Sequence, residues 1–357
     1  MYTMTLEINQ RCNLRCKYCY LGEKDGSKMT YEVACKAIDN AFKCTAIHKD
    51  RTLWIDFVGG EPLLDYDMIH SLVEYTNRKN KETDYKLLFS LTTNATIINP
   101  EILNFLLANN FSVKVSIDGD QDVNDINRVD CTGEGSHKRI LSNLNYFKEF
   151  ERKSGRYVQV TNVITGNNYE KYFDTLVYLM KDLNFKIIDT AIDVGYRWTD
   201  QEIDVIAENI RKSFDYFIET AREKHGFRWE FADKVVNFEK ERRKFYSCGA
   251  GIVSSYIRTD GGIYACPGNL NPSVQLGTVQ DGFNKQKIYP LKHFEKINNP
   301  QCLSCEISKY CTEQSCIMQN LAVMGDINSP IPIMCRLRKL AHELYINNQD
   351  VIKRIVM

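Results

Sequence analysis

The 357-residue chain lacks several features that would assign a protein to a class at once. Its N-terminus, MYTMTLEINQ, has neither a basic start nor an apolar run, so it shows no signal peptide. No stretch is apolar for long enough to cross a bilayer. Lysine plus arginine equal aspartate plus glutamate at 46 each, so no net charge draws the chain to nucleic acid or to an anionic membrane. The sequence therefore predicts a cytoplasmic protein that has neither nucleic acid nor membrane as a partner.

Cysteine, in contrast, is abundant, with 13 residues. A reducing compartment keeps thiols reduced, so these cysteines are not expected to form a disulfide framework, and metal binding explains them better. Ten of them fall into ordered spacings, three at 12–19 and seven between 248 and 335, whereas the six histidines show no paired spacing. The cysteines are therefore the main candidates for chemistry.

Short runs rich in β-branched and aromatic residues recur through the first half of the chain and predict strands. These runs are 5–9, 53–58, 86–93, 112–118, 158–165 and 186–193. Stretches with helical spacing separate them, which predicts an α/β fold with a parallel sheet covered by helices. Six such units favour a partial (β/α)6 barrel over a closed eight-stranded one, with its site at the carboxyl ends of the strands.

The pattern changes after residue 198. Residues 199–245 are charged and helical, and one apolar stripe among them predicts core packing. Residues 246–340 are rich in glycine, proline and cysteine, with little periodicity, and predict a second module held by metal. The predicted domains are a barrel at 1–198, a helical bridge at 199–245, a cysteine-rich module at 246–340 and a C-terminal helix or tail at 341–357.

The segment CNLRCKYCY brings Cys12, Cys16 and Cys19 together directly after the first predicted strand. A four-iron cluster needs four ligands, so three thiolates leave one iron open. An open iron can take the amine and the carboxylate of a methionine-like molecule. A zinc knuckle is the alternative, but no histidine or fourth cysteine lies nearby at zinc spacing.

This segment resembles the signature of the radical S-adenosylmethionine (radical SAM) superfamily, C-x3-C-x2-C with an aromatic residue before the last cysteine. Tyr18 is that aromatic residue, and the resemblance covers about residues 4–196. It implies a [4Fe-4S] cluster on the three cysteines and S-adenosylmethionine as cosubstrate. Glycines in GGEP, after the second strand, allow close backbone approach to a ligand. The cosubstrate contacts that the resemblance implies are Tyr18, Gly59, Gly60, Glu61, Ser116, Arg128 and Val194. TNA at 93–95 departs slightly from the Thr-Asn-Gly of many relatives.

Seven further cysteines lie between residues 248 and 335. Alone, their C-x2-C-x5-C segment would fit a zinc ribbon equally well. Beside the first motif it resembles the SPASM extension, with one extra residue between Cys311 and Cys316, and Asp260-Gly261-Gly262 predicts a hairpin turn. That resemblance implies two auxiliary [4Fe-4S] clusters, an outer one on Cys302, Cys305, Cys311 and Cys335 and an inner one on Cys248, Cys266 and Cys316.

The inner set has three cysteines where sulfatase-maturing relatives have four. Their extra cysteine would fall near Ser254. Either Cys131 or a thiolate of the substrate would complete the set, and iron binding would hold a substrate thiolate deprotonated where a carbon radical can be captured. Pro267 stands where those relatives carry an aspartate base, so formylglycine formation loses its key residue here.

Together the resemblances imply a peptide maturase that cleaves S-adenosylmethionine to a 5′-deoxyadenosyl radical and oxidatively modifies a ribosomally made precursor peptide. We expect a thioether between cysteine and carbon. Carbon–carbon or ether crosslinks, epimerisation, formylglycine formation and a zinc-ribbon scaffold stay open, and no acid–base residue is assigned. The expected partners are the precursor peptide and an electron donor such as ferredoxin or flavodoxin. Since only eleven residues precede Cys12, we also expect a separate peptide-recognition protein or peptide pairing at a strand edge.

Overall fold

The computed structural model describes residues 1–22, 24–223, 226–240, 248–294, 298–312 and 316–356. No helix in these ranges has the length and apolarity needed to cross a membrane. The strands are β1 (Tyr2–Glu7), β2 (Thr52–Val58), β3 (Lys86–Thr93), β4 (Ser112–Ser116), β5 (Gln159–Ile164), β6 (Ile187–Ile192), β7 (Arg228–Trp229), β8 (Ser254–Ile257), β9 (Gly262–Tyr264), β10 (Gly277–Thr278) and β11 (Gly282–Phe283). The helices are α1 (Tyr31–Thr45), α2 (Tyr66–Asn80), α3 (Pro100–Ala108), α4 (Gln121–Asn127), α5 (His137–Ser154), α6 (Tyr172–Val177), α7 (Asp200–Glu223), α8 (Glu230–Val236), α9 (Lys285–Lys292), α10 (Pro300–Leu303), α11 (Ile317–Met324), α12 (Pro332–Asn347) and α13 (Gln349–Val356).

The predicted α/β fold with a parallel sheet is confirmed, and the six predicted strands are present as β1 to β6. Local chemistry explains where the helices begin. At the start of α1, for example, the side chain of Thr30 accepts a hydrogen bond from the backbone N–H of Val33, and Glu32 lies in the first turn. The chain divides into two compact units, and each gathers separate stretches of sequence. The predicted domain boundaries stay predictions.

The first unit comprises residues 1–116, 129–158 and 249–293. Its β1, β2, β3 and β4 pair in parallel in chain order, and β8 adds in parallel to the other side of β1. Strands β9, β10 and β11 continue from β8 in antiparallel fashion. The predicted turn between β8 and β9 is present, with Gly261 at a φ of +85°.

The two faces of this sheet differ in polarity because successive side chains of a strand point to opposite sides. On one face, Phe57, Phe89 and Phe111 stack with ring centroids 5.5–6.4 Å apart. On the other face, Ser90 of β3 donates a hydrogen bond to Asp56 of β2, and burial raises the pKa of that aspartate. Since parallel strands end at the same edge, the segments that follow β1, β2 and β3 share one rim of the sheet.

The second unit comprises residues 117–128, 159–248 and 294–357, with β5, β6 and β7 paired in parallel. Helices α8 and α12 contact each other, and α12 also contacts α7. The apolar stripe of α7 is buried as predicted, at Ile203, Ile206, Ile210, Phe214 and Phe217. Within the predicted helical bridge, β7 and α8 follow α7, so the bridge is not helical throughout. Its last predicted residues, 241–245, lie outside the described residues.

Candidate functional site

Residues 12–19, which we call the first cysteine loop, follow a segment that leaves the end of β1. Backbone hydrogen bonds continue to join this segment to the chain at the end of β2 and beyond it. The N–H of Ile8 donates to the carbonyl of Val58 over 2.9 Å. Farther along, the N–H of Gly60 donates to Asn9, and that of Glu61 donates to Arg11, each over 2.8 Å. The segment that follows β2 therefore fixes the path of the chain up to the residue before Cys12.

Gly59 and Gly60 have a structural reason to be glycine that the sequence did not reveal. A Cβ on Gly59, where φ is +157°, would lie 2.4 Å from the carbonyl oxygen of Asn9. A Cβ on Gly60 would lie 2.1 Å from the carbonyl oxygen of Arg11. No side chain fits at either distance, so the close approach that these glycines permit is first to the protein's own backbone. Their contact with a cosubstrate stays a prediction.

The carboxylate of Glu61 connects the rim residues after β2 with those after β3. This side chain is fully buried. Its oxygens accept hydrogen bonds from the N–H of Leu63 at 3.1 Å, the hydroxyl of Thr93 at 2.8 Å and the N–H of Asn94 at 2.7 Å. Glu61 thus holds the turn after β3 beside the first cysteine loop, and its predicted cosubstrate contact stays a prediction.

Asn94 contacts a cysteine of the loop directly. Its amide nitrogen lies 3.7 Å from the sulfur of Cys12, which also accepts a hydrogen bond from the N–H of Leu14 at 3.3 Å. Our sequence reasoning noted TNA only as a departure and missed Asn94. The available signal was its position directly after β3, where a polar side chain reaches the same rim as the cysteines.

Asp65 anchors the other side of the segment before Cys12. Its carboxylate accepts hydrogen bonds from Asn9 at 2.6 Å and Arg11 at 2.9 Å, and pairs with Lys28 at 2.6 Å. Burial alone would raise the pKa of Asp65, but the bonds from Lys28, Arg11 and Asn9 outweigh it and lower that pKa. The charged carboxylate therefore stabilises this segment at neutral pH.

A second buried carboxylate, Glu7, lies at the end of β1 and was also missed. It accepts hydrogen bonds from the hydroxyl of Tyr256 at 2.6 Å and from the amide of Gln10 at 2.9 Å. Burial, followed by the neighbouring Tyr20 and Glu7, raises the pKa of Tyr256 well above its usual value, so this tyrosine stays protonated and donates. The arrangement joins β1, β8 and the segment that leads to Cys12.

The other predicted cosubstrate residues lie in both units. Tyr18 is half-buried in the first cysteine loop, and Ser116 is the last residue of β4. In the second unit, Arg128 is buried directly after α4, and Val194 follows β6 by two residues. Val194 lines a cavity of about 210 Å³. The cosubstrate contacts of all four stay predictions.

The predicted outer ligands lie together in the second unit. They line one cavity of about 460 Å³, and we call them the outer cysteine set: Cys302, Cys305, Cys311 and Cys335. Asn299 caps α10 by accepting from the N–H of Cys302, and Cys335 lies in the first turn of α12. Burial, and to a smaller extent the neighbouring Cys311 and Cys305, raises the pKa of the Cys302 thiol.

Within the described residues, no three side chains of histidine, cysteine, aspartate or glutamate converge tightly enough to bind a single metal ion. An iron–sulfur cluster differs from a single ion, because its cysteines surround a cage of several irons. The four cysteines of the outer set line one cavity, and their role as cluster ligands stays a prediction. Arg336 and Lys339 also line this cavity, but Arg336 already pairs with Asp200, which lines the cavity too, and with Asp204.

The inner cysteine set, Cys248, Cys266 and Cys316, is divided between the units. Cys266 is half-buried in the first unit, two residues after β9. In the second unit, Cys248 is exposed, and the thiol of Cys316 donates to Gln319 over 3.3 Å. Cys131 is exposed in the first unit. The inner ligand set and its completion by Cys131 or by substrate stay predictions.

Residues 6–179 match the Radical SAM superfamily. The chain is 30% identical over 192 residues to the uncharacterized protein MJ0907 of Methanocaldococcus jannaschii, covering 53% of this chain and 63% of that protein. It is 23% identical over 323 residues to the radical SAM cyclopropyl synthase TigE of Paramaledivibacter caminithermalis, covering 86% and 66%. The chain thus spans just under two thirds of the length of each of these two relatives.

A cysteine-type anaerobic sulfatase-maturating enzyme of Clostridium perfringens is 24% identical over 322 residues, with 84% of each chain covered. Among solved structures, native anSMEcpe with bound AdoMet and Cp18Cys peptide aligns with a TM-score of 0.80, at 19% identity and 99% coverage of both chains. Streptococcus suis SuiB bound to the precursor peptide SuiA aligns with a TM-score of 0.64, at 18% identity, covering 94% of this chain and 76% of that one. These structural likenesses support the predicted partial-barrel fold.

Proposed function

The chain carries a radical SAM domain at residues 6–179, and from that premise we propose that it is an enzyme that oxidatively modifies a ribosomally made peptide. Its expected product is a thioether between a cysteine sulfur and a carbon atom of the same peptide. The observation that carries the proposal is the first cysteine loop, in which three cysteines follow β1 on a rim braced by the segments after β2 and β3.

Cys12, Cys16 and Cys19 would hold the reducible [4Fe-4S] cluster, with one iron left for S-adenosylmethionine. When bound, the cluster and cosubstrate supply a 5′-deoxyadenosyl radical that removes a hydrogen atom from the peptide. The ladder from Gly60 and Glu61 keeps the approach to Cys12 in place, and the two N–H donors on the sulfur of Cys12 orient that ligand.

The outer cysteine set would hold a second cluster with four protein ligands. Four ligands leave no iron for substrate, so this site suits electron transfer. Thioether formation releases one electron after hydrogen abstraction, and an auxiliary cluster is a suitable acceptor. A ferredoxin or flavodoxin would supply the first electron.

The inner cysteine set supports the choice of product. It offers three cysteines, so the thiolate of a substrate cysteine would be its fourth ligand, with Cys131 as the alternative. Pro267 cannot accept a proton, which argues against formylglycine formation. The peptide would arrive with a separate recognition protein or by pairing with a strand edge, and the precursor peptide bound to SuiB supports a peptide as the substrate class.

The first test is anaerobic turnover of S-adenosylmethionine with dithionite, comparing wild type with the Cys12→Ala, Cys16→Ala, Cys19→Ala triple variant. We expect 5′-deoxyadenosine from wild type and none from the variant. Equal amounts from both proteins would sink the proposal.

The product is then identified by mass spectrometry. The substrates are synthetic copies of cysteine-containing peptides that are encoded by neighbouring genes. A thioether loses two hydrogen atoms and no longer reacts with iodoacetamide. A carbon–carbon, ether or cyclopropyl product loses hydrogens but keeps a reactive thiol. Epimerisation keeps the mass in ordinary water and adds one deuterium in heavy water, and formylglycine loses the sulfur. Any of these latter products would replace the thioether while leaving the peptide-modifying activity in place.

A further inference from the structure

The turn that follows β3 is tied to the rim by both its backbone and its side chains. Thr93 and the N–H of Asn94 both donate to Glu61. The next residue, Ala95, has a left-handed φ of +62° and is fully buried, and its N–H donates to the hydroxyl of Thr93 at 3.1 Å. A buried non-glycine residue in this conformation carries backbone strain, and strained residues cluster at functional sites. The turn is therefore held in one conformation by its surroundings.

The carboxamide of Asn94 has a defined orientation within this turn. The N–H of Thr96 donates over 3.0 Å to the Oδ1 of Asn94, and a backbone N–H can only donate. The oxygen must therefore face Thr96, which leaves the amino group facing Cys12 at 3.7 Å and the Oδ1 of Asn13 at 2.8 Å. The residue is only 7% exposed, so water competes little for these bonds. The donor toward the sulfur is set by the network and does not depend on an arbitrary choice of amide rotamer.

We propose that Asn94 is a positioning residue that raises the reduction potential of the cluster bound at Cys12. The inference rests on the proposed cluster site. Reduction adds negative charge that the thiolate ligands share, so an N–H donor to a ligand sulfur stabilises the reduced form more than the oxidised form. Leu14 supplies one such donor from the backbone of the loop itself. Asn94 supplies the second from the end of β3, and it is the one that substitution can remove.

The test is a redox titration of the reconstituted protein. The reduced fraction is measured by electron paramagnetic resonance, using the signal that the triple cysteine variant lacks. Asn94→Leu keeps the approximate volume and removes the donor. At the wild-type midpoint we expect the ratio of reduced to oxidised cluster in this variant to fall by up to about tenfold, which is ~59 mV for a one-electron couple. Asn94→Ser, whose hydroxyl is too short to reach the sulfur, should shift in the same direction.

Asn143→Ala is the matched control. Asn143 donates to the carbonyl of Ala95 over 3.0 Å, so its removal disturbs the same turn without removing a donor to Cys12. We expect the wild-type potential in this variant. Equal potentials in wild type and both Asn94 variants would overturn the inference, and so would a shift in Asn143→Ala as large as theirs. Asn94→Ser decides the matter if Asn94→Leu does not fold. If the triple cysteine variant instead binds as much iron as wild type, the proposed cluster site itself is wrong.

Discussion

The first cysteine loop and the outer cysteine set place their thiols by different means. The loop is fixed from outside, by backbone bonds from the segment after β2 and by side chains such as Asn94 and Asp65. The outer cysteine set lies on short helical turns and at the start of α12, around one cavity. Three thiols on a rim leave room for a small molecule at the metal, whereas four thiols around a cavity close their site. In the proposed assignment, this difference would separate a site for substrate chemistry from one for electron transfer.

Removing one group of cysteines at a time gives the largest expected effect. With three four-iron clusters, we expect about twelve irons per wild-type chain and about eight after alanine replaces the cysteines of the first loop. Alanine at all four positions of the outer cysteine set should also leave about eight. Only the first variant should lose cleavage of S-adenosylmethionine. Iron and sulfide analysis, with assay of 5′-deoxyadenosine, measures both.

Two results would break this contrast. About four irons in wild type, all lost with the first loop, would show that the C-terminal cysteines bind no cluster. Loss of cleavage in the outer variant, despite a retained first cluster, would mean that the outer site takes part in the radical step.

Gly60→Ala tests whether backbone approach fixes the first loop. The added Cβ would meet the carbonyl of Arg11 at 2.1 Å, so we expect destabilisation of about 3 kcal/mol or more and loss of iron from the loop. Gly22→Ala is the matched control, because Gly22 has a φ of +61° and open space around it. Its cost should be about 1 kcal/mol, from the left-handed conformation alone. Urea unfolding and iron content measure the two effects, and equal losses in both variants would contradict the steric account.

Sequence patterns predicted the strands because each depends on local spacing, whereas the outer cysteine set came from the resemblance to the SPASM extension and its ligand role stays a prediction. Each buried parallel strand is a short apolar run, and C-x2-C-x5-C places three thiols within a few turns of chain. The two-residue strand β7 was missed because so short an element has no period to detect.

The bracing of the first loop could not be read from spacing. Gly60 meets Arg11, and Asn94 meets Cys12, only because parallel strands bring their carboxyl ends to one rim. The same applies to Tyr256, which reaches Glu7 through β8, a strand 249 residues farther along the chain. The sequence therefore predicted the position of the candidate site, whereas its supporting contacts required the fold.

Asp65→Asn tests the electrostatic part of the bracing. Loss of the carboxylate should cost about 1.5–3 kcal/mol at pH 7, since it accepts bonds from two cationic side chains. The folded state lowers the pKa of Asp65 from its usual 3.8, so its contribution is fully present above that value and is lost as the pH falls through the folded pKa. Urea unfolding from pH 7 to pH 3 should show wild type and variant converging only at the acid end. A stability difference that grows on acidification would contradict this assignment.

Ala95→Gly should have the smallest effect, and its size follows from two opposing contributions. Glycine relieves the left-handed strain at a φ of +62°, which is worth about 1–2 kcal/mol. It also loses a buried methyl group, worth about 0.8 kcal/mol, and makes the unfolded chain more flexible by a similar amount. The free energy of unfolding should therefore change by less than about 1 kcal/mol, which urea unfolding can measure. Ala95→Val, with no relief of strain and more volume, should be clearly destabilising. If the glycine variant is stabilised by much more than this, the turn after β3 stores more strain than its hydrogen bonds suggest, and the bracing of Cys12 by Asn94 would come at a larger cost to the fold.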